Sequence, residues 1–179
     1  MSDGIHSVHG VLMGIRLTTP QLASCGVLIC GEPGIGKSHA ALALLDRGHV
    51  LIADDAPIFA RKADNQLYGI CPPSIQDCME LRGLGVINPR RLFGAQGMHT
   101  EQRLDLIIEL VAASRANLSL AEASHQRLHG CWQEESILGS LIPKLVLHAQ
   151  PATTMALLIE TAARGFAMSA YNPEVQAHP

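Results

Sequence analysis

The chain alternates short apolar runs with polar or glycine-rich breaks. Residues 8–16 (VHGVLMGIR) are apolar enough for a strand, and the polar, proline-containing stretch 17–24 (LTTPQLAS) reads as a loop. Residues 26–30 (GVLIC) form an unbroken apolar run suited to a buried strand. Glycines follow, and from Lys37 the sequence KSHAALALLDRG favours a helix, with Ala41, Leu42, Leu44 and Leu45 on one face and Gly48 as terminator. Residues 50–53 (VLIA) resume as a second buried strand that ends in Asp54-Asp55. Strand, glycine loop, helix and strand in that order predict an α/β domain.

Further on the pattern is less regular. Residues 66–71 suit a strand that Pro72-Pro73 stops, and Ser74 is placed to cap a short helix running through Met79 to Arg82. A glycine-flanked apolar piece then leads to Asn88-Pro89. Residues 104–110 (LDLIIEL) predict a central strand, 111–140 a mixture of helix and loop, and 141–148 (LIPKLVLH) another strand. In residues 153–171, Met155, Leu158, Ile159, Ala162 and Phe166 are spaced for one helical face. No repeat or linker interrupts residues 1–179, so a single domain is expected.

Composition narrows the classes. With 179 residues, 47% of them hydrophobic and 16% charged, the chain can bury a sizeable core and is too apolar for disorder. The net charge of −3 argues against nucleic acid as a partner, because neutralising phosphates takes clustered cations. No apolar run approaches the roughly 20 residues of a membrane span, and MSDGIHSVHG lacks the features of a signal peptide. A soluble, cytoplasmic protein is expected. The five cysteines are odd in number and include no C-x-x-C pair, so free thiols are expected rather than a disulfide framework or a zinc ribbon.

The chemistry is concentrated in Gly31-Glu32-Pro33-Gly34-Ile35-Gly36-Lys37-Ser38, which fits G-x-x-x-x-G-K-[ST] at every fixed position. Glycines let backbone N–H groups turn inward around phosphate oxygens, and the following helix adds its N-terminal dipole. Lys37 would reach the β- and γ-phosphates of a nucleoside triphosphate, and the Ser38 hydroxyl would ligate Mg²⁺. The loop stands between an apolar strand and a helix, as this mechanism requires. Asp54-Asp55 ends the next strand, where one carboxylate can face the γ-phosphate while the other braces a neighbour. Asp-Asp-Ala-Pro is also ordinary turn chemistry. His9 and the run Glu80-Leu81-Arg82-Gly83-Leu84-Gly85 are weaker candidates on residues alone, and His125 and His129, four apart, lack a third metal ligand.

Taken together, VHGVL (8–12), GVLICGEPGIGKS (26–38), RGHVLIADD (47–55) and MELRGLGVINPRRLFGA (79–95) resemble the catalytic domain of HPr kinase/phosphorylase. The likeness continues more loosely through residues 104–110, QRLHG (126–130), IPKLVLHAQP (142–151) and the final helix. The resemblance implies the P-loop-containing HPr kinase / PEP carboxykinase-like nucleotide-binding fold, in a short form without an N-terminal regulatory domain. It implies ATP and Mg²⁺ as ligands and a serine of the phosphocarrier HPr, or a related carrier, as the group phosphorylated. Residue by residue, it implies loop roles for Lys37 and Ser38, Asp55 as proton acceptor and donor, and His9 as its partner. It further implies Glu80 as a second metal-linked residue with Ser38, and Arg127 as the active-site arginine. A hexamer is the assembly implied.

Three departures from that pattern stand out. His39 replaces the acidic residue that usually follows the loop serine. Residues 17–25 lengthen the connection between the first two strands. Where the family carries an arginine-rich loop tied to dephosphorylation, this chain reads Ala149-Gln150-Pro151-Ala152-Thr153-Thr154. The expectation is a kinase with weak or absent phosphorolysis. A non-catalytic nucleotide-binding sensor is the alternative, and ELRGLGVIN (80–88), which resembles the family's signature, argues against a small-metabolite kinase.

Overall fold

The computed structural model describes residues 6–19, 22–112 and 130–170. In chain order the strands are β1 (His6–Ser7), β2 (Val11–Thr19), β3 (Leu22–Gly31), β4 (Val50–Ala53), β5 (Ile58–Arg61) and β6 (Leu67–Ile70). After them come β7 (Met79–Leu81), β8 (Gly85–Ile87), β9 (Glu101–Arg103), β10 (Leu106–Val111), β11 (Cys131–Ile137) and β12 (Ser140–His148). The helices are α1 (Lys37–Asp46), between β3 and β4, α2 (Pro89–Phe93), after β8, and α3 (Ala152–Ala167), after β12.

The main sheet has six strands in the order β11-β12-β10-β3-β2-β4, with β10 between two parallel neighbours as its apolar sequence predicts. Its faces follow from period-two alternation. Val11, Met13 and Ile15 of β2, Val27 and Ile29 of β3, and Leu106, Ile108 and Leu110 of β10 point to one side, where α1 and α3 cover them. Leu12, Leu28 and Ile107 point to the other, into a second core shared with Phe59 and Leu67 of a small β1-β5-β6-β9 sheet. The small sheet lies very close: a Cβ on Gly26 would sit 1.7 Å from the Arg103 carbonyl oxygen, so only glycine fits there.

The topology sets the site. β3 and β4 are not adjacent, because β2 pairs antiparallel with both. β3 and β4 therefore run the same way and β2 runs against them. The end of β3 (Gly31), the end of β4 (Ala53) and the start of β2 (Val11) all fall on one edge of the sheet. That edge gathers His9, the glycine loop and Asp54-Asp55, although 46 positions separate the first from the last in sequence.

Four expectations are corrected. Residues 17–19 and 22–24, expected to be loop, are strand, because pairing between β2 and β3 continues to Thr19 opposite Leu22, with an irregularity after Arg16. Of the supposed long connection, residues 17–19 and 22–25 are thus strand. The helix expected from Ser74 to Arg82 is a single 3₁₀ turn, Pro73–Ile75, followed by strand β7 paired with β8. Within 111–140, Cys131–Ile137 is a strand at the edge of the main sheet; its exposed Gln and Glu residues face solvent, so it reads as polar. The buried face of α3 comprises Met155, Ala156, Ile159, Ala162 and Ala163, whereas Leu158 is 40% exposed. The five cysteines are free, four at least partly buried and Cys78 exposed. Among the described residues no helix is long and apolar enough to cross a membrane.

One buried polar cluster joins the two main helices. Glu160 of α3 accepts from Arg47 Nε at 2.6 Å and pairs with Arg164 at 2.7 Å. Its Oε2 is 3.5 Å from Nε2 of His49, a buried residue whose Nδ1 accepts the Arg16 N–H at 3.1 Å. Burial lowers the His49 pKa from 6.5 despite the nearby carboxylate. Burial alone would raise the Glu160 carboxyl, but Arg47, Arg164 and His49 bring it below 4.5. Both shifts act in one direction. The unfolded chain takes up protons that the folded state refuses, so stability falls as pH drops through 6.5 for His49 and through 4.5 for Glu160. Thermal melts from neutral pH to about pH 5 will show a declining midpoint, and His49→Asn will flatten that first decline. An equal slope in the variant would contradict this assignment.

Candidate active site

The loop between β3 and α1 has its glycines where the backbone must turn back. Gly31, Gly34 and Gly36 have φ of 136°, 80° and 109°, a region that side chains with a Cβ rarely enter. The free N–H groups of the first turn of α1 point outward there, an arrangement suited to anions. Lys37, buried at the start of α1, folds back over the loop. Its Nζ donates to the carbonyls of Gly31 at 3.0 Å and Glu32 at 3.2 Å and lies 3.2 Å from His9 Nε2.

His9 continues the chain of contacts, with Nδ1 2.7 Å from Asp55 Oδ1. Nε2 accepts from the ammonium, so Nδ1 carries the proton and donates it to the carboxylate. Distant pairing brings these residues together. β1 pairs with β5, Val8 N–H donates to Pro57 O, and Gly10 N–H donates to Asp55 O at 2.8 Å. Asp55 has φ 82°, so a left-handed bend after β4, rather than strand alternation, turns its carboxylate outward. With its side chain 67% exposed, Asp55 faces the cleft and not the apolar interior.

Asp54 does the bracing. It is buried, and its Oδ1 accepts from the Ser38 hydroxyl at 2.9 Å while Oδ2 accepts from the Glu80 N–H at 3.0 Å. Burial raises its pKa above the usual 3.8, with the two hydrogen bonds opposing that rise. One carboxylate thus ties the loop serine to the β7–β8 hairpin. His9, Lys37, Ser38, Asp54, Asp55 and Glu80 line one cavity of about 320 Å³. His39 and Arg82 line it as well; the sequence gives neither an individual role, because the helix expected over 79–82 hides the strand alternation that sets Glu80 and Arg82 on one side. Among the described residues no cluster of three His, Cys, Asp or Glu is disposed to hold a metal. Arg127, His125 and His129 lie outside the described residues.

Ser38 and Glu80 offer hard oxygen donors, with Asp54 behind the serine. That suits Mg²⁺, which commonly takes one or two protein ligands plus phosphate oxygens and water. The connection from β12 to α3 opens on the same edge as the loop, since β12 and β3 both run parallel to β10. Its residues, Ala149 to Pro151, bring no cation to that edge.

A glycine loop ahead of a helix, with carboxylates at the end of a co-directional strand, is an arrangement suited to phosphate in an α/β protein. Residues 4–177 match the model of the HPr serine kinase C-terminal domain family, and the chain belongs to that family. It is 40% identical over 158 residues to the HPr kinase/phosphorylases of Xanthomonas campestris pv. campestris and Xanthomonas oryzae pv. oryzae, covering 88% of this chain and 47% of each relative. The chain thus spans about half the length of the curated relatives it matches. The solved HPr(Ser) kinase/phosphatase of Coxiella burnetii superposes with a TM-score of 0.77 at 31% identity, over 97% of this chain and 98% of that one.

Proposed function

We propose that this chain is an ATP-dependent protein-serine kinase acting on HPr or a related phosphocarrier, with residues 1–179 forming one catalytic domain. The observation that carries the reading is the Lys37–His9–Asp55 chain of contacts at the mouth of the glycine loop. It links the group suited to the phosphates with the group suited to the attacking hydroxyl.

In this reading the triphosphate lies along residues 31–38, and the ammonium of Lys37 turns from the loop carbonyls to the β- and γ-phosphates. Ser38 and Glu80 would hold Mg²⁺, which supplies charge neutralisation between phosphate oxygens when bound. The substrate serine hydroxyl enters beside Asp55. Its oxygen forms a bond to the γ-phosphorus as the bond from that phosphorus to the β-phosphate oxygen breaks, releasing ADP. Asp55 accepts the hydroxyl proton, and His9 holds the carboxylate in place. Catalysis is then mainly positioning and electrostatics. Arg127 takes the role its resemblance gives it, and a cytoplasmic homo-oligomer, a hexamer by resemblance, is the working form.

The test is transfer of label from γ-labelled ATP to HPr with Mg²⁺, comparing the wild type with Asp55→Ala. Transfer that depends on Asp55 supports the kinase. Tight ATP binding with no transfer supports the nucleotide-sensor reading, which His39 and the missing arginines favour.

Phosphorolysis is a separate expectation. An arginine fork recognises phosphate in a way that Ala or Thr cannot reproduce. Release of pyrophosphate from phosphoserine-HPr and inorganic phosphate is therefore expected to be at least about a hundredfold slower than forward transfer. Comparable rates in the two directions would overturn this point.

A further inference from the structure

Among the described residues, one cation in the cleft has no side-chain partner. Arg16, Arg47, Arg61, Arg90, Arg103 and Arg164 each bond an oxygen through the guanidinium. Among the described residues the Arg82 guanidinium makes no hydrogen bond and no ion pair, although Glu80 stands two positions away. The Arg91 guanidinium likewise has no partner among the described residues, but it is exposed on α2 and does not line the cavity.

The position of Arg82 is fixed from behind. Met79 and Leu81 are buried, so Glu80 and Arg82 project the other way, toward the cavity. Leu81 pairs with Gly85 to close the hairpin, and Asp54 anchors it through the Glu80 N–H. The guanidinium reaches the crown of the glycine loop, where its Nη2 lies 2.8 Å from the place a Cβ on Gly34 would occupy. A bare glycine at 34 is what lets a planar cation rest against the backbone that would cradle the phosphates.

We propose that Arg82 is a further catalytic residue of this site, supplied in cis from the β7–β8 hairpin, whose guanidinium contacts oxygens of the transferring phosphoryl group. The inference rests on the phosphoryl-transfer reading above. The transition state of such a transfer spreads charge over the equatorial oxygens of the moving group, and a forked donor meets two of them at once. Lys37 approaches from the start of α1 and Arg82 from the hairpin, so the two cations act on one phosphoryl group from separate elements. Arg82 is exposed and unpaired, so its replacement leaves the fold intact.

Binding of ADP with Mg²⁺, and of ADP with Mg²⁺ and aluminium fluoride as a mimic of the moving group, tests this by calorimetry in wild type, Arg82→Ala, Arg82→Lys and Lys37→Ala. Arg82→Ala is expected to keep ADP affinity within about threefold and to lose at least about a hundredfold for the fluoride complex. Arg82→Lys is expected to fall between. Wild-type affinity for the fluoride complex in Arg82→Ala overturns the role of Arg82 alone. Equal losses for ADP and for the complex also overturn it, assigning the residue to shaping the loop. A wild type that binds the complex no better than ADP, or independently of Lys37, overturns the phosphoryl-transfer reading and this inference together.

Discussion

Asp55→Asn is expected to reduce phosphoryl transfer to HPr by about a thousandfold while leaving ATP affinity within about threefold. Asparagine keeps the shape and accepts the His9 hydrogen bond through its carbonyl oxygen, so the bend at 55 and the His9 contact at 2.7 Å survive. Only the capacity to take a proton is lost. Among the described residues Asp55 makes no hydrogen bond to the loop, and in the proposed reading the nucleotide is held by the loop's backbone N–H groups and Lys37. Binding and turnover should therefore separate, with the loss in kcat and not in the dissociation constant for ATP. A parallel loss of ATP affinity would mean that Asp55 shapes the loop, and unchanged turnover would remove it from proton transfer.

Asp54→Asn should behave in the opposite way toward the fold. The pKa of Asp54 is raised by burial, so the folded state holds its proton more tightly than the unfolded chain does. At neutral pH, above the ordinary carboxylate value, burial of this group therefore weighs against folding. As pH rises from 3.8 through the raised folded value, the wild type loses stability that an uncharged residue would keep. Asparagine at 54 can accept from the Glu80 N–H and donate to the Ser38 hydroxyl oxygen, so both bridges are replaced. The variant is expected to melt at or above the wild-type temperature at pH 7, with its advantage fading toward pH 4. The same change removes the negative charge behind Ser38, and Mg²⁺-dependent transfer is expected to fall by about 10- to 100-fold. Calorimetric melts at the two pH values, set beside a Mg²⁺ titration of transfer, check both halves. A destabilised variant, or one with full activity, would contradict the bracing role. A buried charge kept at a cost to stability is what a site held for chemistry would show.

These residues also show how far a sequence can be read. The glycine loop was legible because its chemistry fixes local spacing: Gly31, Gly36, Lys37 and Ser38 lie within eight positions, between an apolar strand and a helix. Asp54-Asp55 was legible as a strand end, but not which carboxylate faces the cleft. That is decided by Asp54 being drawn to Ser38 and the Glu80 N–H, and by a left-handed bend at Asp55. For His9, residues alone gave little, because its place depends on β1 pairing with β5, some fifty positions away. Glu80 was suggested by resemblance while its element was misread: Met, Glu, Leu and Arg all favour helices in isolation, and here burial of Met79 and Leu81 overrides that preference. The edge strand Cys131–Ile137 was missed for a related reason, because a strand with one wet face need not be apolar. The mixed order β3-β2-β4 could not be read from strand runs, yet it is what sets His9 beside the loop.

The central claim is that the glycine cradle and the carboxylate of Asp55 meet at one phosphoryl group. A crystal structure of the chain with Mg²⁺ and a non-hydrolysable ATP analogue tests it most directly. The account predicts the triphosphate along residues 31–38, Lys37 Nζ on its terminal oxygens, and the Asp55 carboxylate one hydroxyl's width from the γ-phosphorus. A triphosphate bound elsewhere, or an Asp55 side chain turned away from the terminal phosphate, would contradict it.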